Sequence, residues 1–199
     1  MDIPKLQKNL ATRKIIHFLT NKRMLNHIWK RISKYISKSE KILDIGAGAC
    51  NLEELLKDKI YNITPIDIQD LSFVDGIKPI IYNGSKIPFK NDSFDISLIL
   101  TVLHHTPNPD LILKEARRVS QKIIVMEDVY NNPLQKALTF VMDNISNLEF
   151  GGNPHSNRSD KEWKKTFKEL NLELVEVRYD SFWLFFQSAT YVLKRKSTT

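Results

Sequence analysis

From residue 41 onward, short apolar runs of strand length alternate with amphipathic segments of helical period, and this alternation most narrows what the chain can fold into. Residues 41–45, 62–66, 79–82, 94–100 and 122–126 read as five strands. Between and after them, residues 51–59, 109–119 and 134–149 read as helices, the second opened by Asn108 as N-cap with Pro109 in the first turn. Ser159 and Glu162 have the spacing of a capping box, which predicts a further helix ending near Asn171. Residues 172–178 and 189–194 close the chain as strands. Strands separated by helices imply an α/β fold, a doubly wound and mainly parallel sheet covered on both faces. The connection between the second and third strands is too short for a full helix, which leaves sheet surface for another element to cover.

Composition removes the other classes. Hydrophobic residues are 42% and charged residues 27% of 199, which excludes a disordered or collagen-like chain. No apolar run approaches membrane-spanning length, and the first residues lack the apolar core of a secretory signal. Cys50 is the sole cysteine, so no internal disulfide can form, and a cytoplasmic location is expected. Residues 1–40 hold ten Lys/Arg against Asp2 and Glu40, a net of +8, which leaves −1 for the rest of a chain that carries +7. A uniformly basic nucleic-acid surface does not match that division. Residues 5–38 read as N-terminal helices with an apolar stripe among the charges. One reading docks the stripe on the domain. The other makes it a basic arm for an anionic membrane surface or an acidic partner. The chain accordingly divides into an N-terminal helical extension, 1–40, and a ligand-binding domain, 41–199.

Ligands of open parallel sheets sit beyond the carboxyl ends of the strands, where strand order reverses. The first strand runs into Gly46-Ala47-Gly48-Ala49-Cys50-Asn51 and then a helix, and glycines there allow a tight turn and a close backbone approach. Asp67 ends the second strand, 23 residues after Asp44, where a carboxylate can accept both hydroxyls of a ribose. A dinucleotide fingerprint would need a third glycine where Asn51 stands, which disfavours a nicotinamide-dependent oxidoreductase. A nucleoside ligand makes no such demand.

The segments Ile42-Leu43-Asp44-Ile45-Gly46-Ala47-Gly48, Ile87-Pro88-Phe89-Lys90-Asn91-Asp92-Ser93-Phe94-Asp95, Leu103-His104-His105 and Glu115-Ala116-Arg117-Arg118-Val119 resemble the successive motifs of class I S-adenosylmethionine-dependent methyltransferases, in the style of quinone-biosynthesis and other small-molecule enzymes. The resemblance implies a Rossmann-like seven-stranded sheet with an antiparallel last strand and S-adenosylmethionine as cofactor. It implies that Gly46, Ala47 and Gly48 face the methionine part and that Asp44 helps hold the turn and the amino end. Asp67 would hold the ribose, Ile68 would pack on adenine, and Asn83 beside Gly84 would stand where the family often has an Asp contacting the adenine amino group. Thr101 would lie beside the methionine part. The sequence departs from the family at Cys50, which replaces a common glycine.

The acceptor side is expected to be a small molecule. His105 is the candidate base for an acceptor that must lose a proton, and packing is the competing reading for both His104 and His105. His155 lies in a polar loop placed to cover a substrate. Trp183 and Phe186, with Phe182 and Phe185, cluster between the last two strands and suggest an apolar or aromatic acceptor. Glu127, Asp128 and His155 lack metal-ligand spacing, and no metal is expected. A methyltransferase-like module that binds the cofactor without turnover is the competing function. The oligomeric state is not encoded legibly.

Overall fold

The computed structural model describes residues 22–57, 59, 61–72, 74–130, 132, 134–137, 156–182 and 186–196. Seven strands form one sheet in the order β3-β2-β1-β4-β5-β7-β6. They are β1 (Lys41–Ile45), β2 (Asn62–Asp67), β3 (Ile80–Ile81), β4 (Phe94–Leu100), β5 (Ser120–Val129), β6 (Leu172–Phe182) and β7 (Phe186–Arg195). The first five pair in parallel, while β7 is antiparallel to both β5 and β6. The strand order therefore reverses between β1 and β4, and the last strand has the antiparallel direction that the sequence resemblance implies.

Helix α1 (Lys22–Ile32) precedes the sheet, α2 (Asn51–Lys57) follows β1, α3 (Pro109–Val119) follows β4, and α4 (Asp160–Glu169) precedes β6. Local chemistry explains the helix starts. Asn108 Oδ1 accepts the Leu111 amide at 3.1 Å ahead of Pro109. Ser159 and Glu162 form a reciprocal capping box. No helix occupies 68–72 or 74–79, as the short connection requires.

Two apolar layers sandwich the sheet. One packs Leu43, Ile45, Ile99, Ile123 and Val125 under α3 and α4, where Trp163 and Phe167 are fully enclosed with Tyr191. The other packs Ile42, Ile96, Leu98, Ile124 and Met126 under α2 and α1, with Ile32 and Ile36 in the same layer. Successive side chains of a strand point to opposite faces, so the alternation in β1, β4 and β5 feeds both layers.

Residues 22–32 form the helix read from the sequence, and a short 3-10 turn, Ser33–Tyr35, ends it; residues 5–21 lie outside the described chain. Polar anchors carry α1 across the far half of the sheet. Arg31 pairs with Asp180 at 2.9 Å and donates to the Ser188 carbonyl, and Lys34 pairs with Glu176 at 2.8 Å. On the other side α1 reaches only as far as Trp29, edge-on to Tyr61. The sheet surface left by the missing helix is thus covered only in part. Ile80 and Ile81 remain 45% and 52% exposed. Among the described residues, no helix is long and apolar enough to cross a membrane.

β5, β6 and β7 outrun the sequence reading. Glu127, Asp128, Tyr179–Ser181 and Gln187–Ser188 interrupt the apolar pattern, yet they stay in register through Asp128↔Ser188 and Asp180↔Ser188. Ladder hydrogen bonds carry a strand past the point where burial stops marking it. Residues 134–137 are helical, and the remainder of the expected 134–149 helix lies outside the described residues.

Candidate cofactor and acceptor site

The site lies where β1 and β4 diverge at their carboxyl ends. The Gly46 and Ala47 amides both donate to the Ile66 carbonyl, at 2.9 and 3.2 Å, which bends the chain over the end of β2. Gly46 has φ +78°, and a Cβ there would lie 2.6 Å from Val102 Cγ2. Glycine is required at that position on both counts. Gly48 also has positive φ, but nothing lies within 4 Å of where its Cβ would be. The turn thus seals against β4 at Gly46 and leaves open space at Gly48.

Cys50 also adopts positive φ, +57°, which explains why glycine is common there in the family the motifs resemble. The thiol is buried, and burial pushes it up to about 12, so it serves as a small packing group and not as a nucleophile.

Asp67 ties this turn to β2. Its Oδ2 accepts the Gly48 amide at 2.9 Å, and its Oδ1 accepts the amides of Ile68 at 2.6 Å and Gln69 at 3.3 Å. Burial raises the Asp67 carboxyl above its ordinary range, and these three amides oppose that rise. Ile68 stands exposed at the rim, 3.1 Å from where a Gly84 Cβ would lie. Asn83 is differently employed. Its Oδ1 accepts from the Ser85 amide, the Ser85 hydroxyl and the Lys86 amide, all within 3.0 Å, so it organises the turn that presents Gly84. Thr101 has φ +57°, donates its amide to the Met126 carbonyl at 2.7 Å, and exposes its side chain beside the same opening.

Asp44 is buried beneath the turn against Glu53 of α2, which sequence reasoning passed over. Burial raises Asp44 well above the carboxylate range, with the Glu53 charge, a hydrogen bond to Glu53 and Asp67 adding to it. Burial raises Glu53 as well, while its hydrogen bond with Asp44 works in the opposite direction. Two buried carboxyls so close disfavour each other's ionisation, so the pair keeps a proton to higher pH. Because the folded state binds that proton more tightly than the unfolded chain, stability is greatest below the ordinary carboxylate range. It falls as pH rises through the raised folded values. Glu53→Gln removes one acid and supplies an amide N–H for Asp44. We expect it to raise stability by about 1 kcal/mol at pH 8 and by less at pH 4, measured by thermal unfolding at both pH values.

On the acceptor side, Leu103–His105 form a 3-10 turn directly after β4. Glu127 on β5, wholly buried, accepts the amides of Val102 at 3.0 Å and Leu103 at 2.7 Å through Oε1, and meets His104 Nδ1 at 2.5 Å through Oε2. His104 is buried and its ring lies 3.9 Å from that of His105, centroid to centroid, tilted by 45°. His105 is partly exposed. The signal for Glu127 was available in the sequence, as a charge set in the strand run 122–126 and its continuation, since a buried charge must find partners. Ser156 clamps the turn from outside, its amide on the His104 carbonyl and its hydroxyl on those of Leu103 and Thr106.

The motif residues of 87–95 and 115–119 prove to be partners. Glu115 accepts the Ile87 amide, and Arg118 donates to the Ile87 and Phe89 carbonyls and to Glu115. The Arg118 hydrogen bonds hold the Glu115 carboxyl below its ordinary range. His155, Trp183 and Phe185 lie outside the described residues, and only the backbone of Phe182 and Phe186 is described. The β6–β7 hairpin does turn at the carboxyl end of the parallel strands, as Phe182↔Phe186 and Val129↔Gln187 register shows. A cleft of about 720 Å³ at the opposite end of the sheet, lined by Glu40, Asp95, Arg117, Lys122, Lys194 and Lys196 among others, shares no residue with this site.

Comparison with known proteins agrees with this geometry. Residues 43–122 match the methyltransferase-domain family. Over 115 residues the chain is 31% identical to a ubiquinone/menaquinone biosynthesis C-methyltransferase of Rickettsia prowazekii, covering 48% of this chain and 46% of that protein. The chain spans less than half the length of the curated relatives it matches. Among solved structures, the PH0226 protein from Pyrococcus horikoshii superposes with a TM-score of 0.73 at 17% identity, covering 98% of this chain and all of that one. An S-adenosylmethionine-dependent methyltransferase from Methanosarcina mazei gives 0.64 at 20% identity, over 83% and 96%. The fold and the turn after β1 define a class I methyltransferase architecture. Residues 43–122 thus resemble a methyltransferase domain, and the fold is that of the S-adenosylmethionine-dependent methyltransferases among the solved structures.

Proposed function

We propose that this protein transfers a methyl group from S-adenosylmethionine to a small acceptor, apolar or aromatic in character. The observation that carries the reading is the turn at Gly46–Cys50, whose Gly48 amide is fixed by Asp67 while the space above it is open. The residues fit the cofactor chemically. Gly48 admits a close approach, Asp67 retains an acceptor site at Oδ2 for a ribose hydroxyl, and exposed Ile68 offers an apolar contact for adenine. Asp44 lies below for an ammonium group, and Thr101 flanks the methionine part. The bound cofactor supplies a methyl carbon already activated by a positive sulfur.

What the chain adds is alignment. Gly46 against Val102 sets the distance between the cofactor turn and the acceptor-side turn, and a displacement in line needs little more than that. His105 is the residue that faces the acceptor, where it takes a proton from an acceptor that must lose one. Of the 1–40 extension, the described residues 22–40 act as a helical addition to the 41–199 domain. α1 joins its core through Ile32, and the segment after it through Ile36, which favours the docking role for that helix over a detached basic arm.

Calorimetry with S-adenosylmethionine and with its demethylated product tests the cofactor, with nicotinamide dinucleotide as the contrast. Incubation with methyl-labelled cofactor and the small-molecule fraction of a cell extract tests the chemistry. Binding accompanied by label in a small molecule is expected. Binding with no label transferred would favour a cofactor-binding module, and nicotinamide binding alone would overturn the reading.

A further inference from the structure

We propose that Glu127 is a positioning residue for methyl transfer: it fixes His104 with its proton on Nδ1 and thereby sets the ring against which His105 packs. The inference rests on the methyl-transfer reading above and adds to it a residue from β5. A carboxylate can only accept, so the 2.5 Å contact to His104 Nδ1 makes that nitrogen the donor. Three donors converge on this one wholly buried side chain, two backbone amides at Oε1 and the imidazole at Oε2. A buried carboxylate needs such compensation, and its position in turn is dictated by it.

The consequence passes outward in two steps. Glu127 holds Val102 and Leu103, and Val102 is the side chain packed against Gly46, so one oxygen of Glu127 serves the junction with the cofactor turn. The other oxygen orients the His104 ring. The His105 ring lies against that ring, 3.9 Å between centroids and tilted by 45°, and its amide donates to the Val102 carbonyl at 3.0 Å, so its place is set by contact with His104. Ser156 ties the same turn through its amide on the His104 carbonyl and its one hydroxyl proton shared between the carbonyls of Leu103 and Thr106. The turn is therefore held both by Glu127 of β5 and by Ser156, and the contact between the two rings couples the place of His105 to that of His104.

Glu127→Gln separates the two oxygens. Its amide oxygen still accepts from Val102 and Leu103, while its NH₂ now faces His104 and must be met by an unprotonated Nδ1. The proton then moves to Nε2. The test uses the full chain, methyl-labelled S-adenosylmethionine and the small-molecule extract fraction, with ¹⁵N-histidine spectra to read the tautomer. We expect wild-type His104 to be protonated on Nδ1 and the Gln variant on Nε2. Cofactor affinity should stay within about threefold, and transfer at saturating cofactor should fall by about 10- to 100-fold, the usual cost of losing a partner that orients a functional imidazole. Glu127→Asp keeps the charge on a shorter arm. It should retain the Nδ1 proton with a smaller loss of rate, and it serves as the second variant should the Gln form fail to fold.

Unchanged transfer in the Gln variant, or a wild-type His104 protonated on Nε2, would overturn the proposal. So would a fall in cofactor affinity as large as the fall in rate, since Glu127 would then act only through Val102. Absence of transfer by the wild-type protein would count against the methyl-transfer reading, and the tautomer spectra would still decide for or against Glu127.

Discussion

Gly48→Ala is expected to abolish measurable cofactor binding while leaving a folded protein, and Gly46→Ala is expected to fail at folding first. The two glycines stand two residues apart in one turn and both have positive φ, yet their surroundings differ. At Gly46 the new Cβ would sit 2.6 and 2.7 Å from the two γ-methyls of Val102, whose amide Glu127 holds, so the strain of left-handed backbone is joined by an overlap with little room to relax. We expect a loss of about 3–5 kcal/mol, seen as a fall in denaturation midpoint. At Gly48 the Cβ would meet nothing, so only the backbone cost of about 1–2 kcal/mol applies. That methyl would instead project into the space proposed for the cofactor. Calorimetry should show S-adenosylmethionine affinity reduced by about 100-fold or more, because a close backbone approach tolerates no Cβ. A Gly48→Ala variant that binds as wild type does would place the cofactor elsewhere.

The same turn shows how far a sequence can be read. Gly46, Gly48 and Asp67 were legible because each answers a local demand: a tight bend, a close approach, an acceptor at a strand end. β4 and α3 matched to the residue, since an apolar run and an Asn-Pro cap are local signals. The long β5–β7–β6 pairing was not legible, because its outer residues are polar and are held by partners distant in sequence. Asn83 shows a different limit. Its residue type permits both an adenine contact and a turn, and the Ser85 and Lys86 donors that commit its oxygen are set by the loop that follows. Glu53 was not legible as a site residue because a charge in a helix reads as surface until the sheet buries it, and for Glu127 the strand run marks a buried charge without showing which partners meet it. Their partners, Asp44 and His104, sit 9 and 23 residues away and become neighbours only through the crossovers of the fold.

Asp67→Ala should then weaken both the fold and the site, a larger effect than a ribose contact alone would give. The carboxylate accepts three backbone amides, so its removal strands the donors of Gly48, Ile68 and Gln69 in a partly enclosed place. Losing the Gly48 bond unties the turn from β2, and we expect about 1.5–3 kcal/mol of lost stability. If Asp67 also accepts the ribose hydroxyls, affinity for S-adenosylmethionine should fall by about 10- to 200-fold beyond that, the equivalent of one to two charge-assisted hydrogen bonds. Asp67→Asn distinguishes the two contributions. Its amide keeps one acceptor oxygen, which can serve Ile68 and Gln69, but presents NH₂ toward the Gly48 amide or toward the sugar. It should therefore recover part of the melting temperature and little of the affinity. Thermal unfolding and calorimetry on the two variants side by side provide the comparison. Affinity that recovers in proportion to stability would make Asp67 a holder of the turn alone, and the ribose would then need another acceptor at the rim beside Ile68.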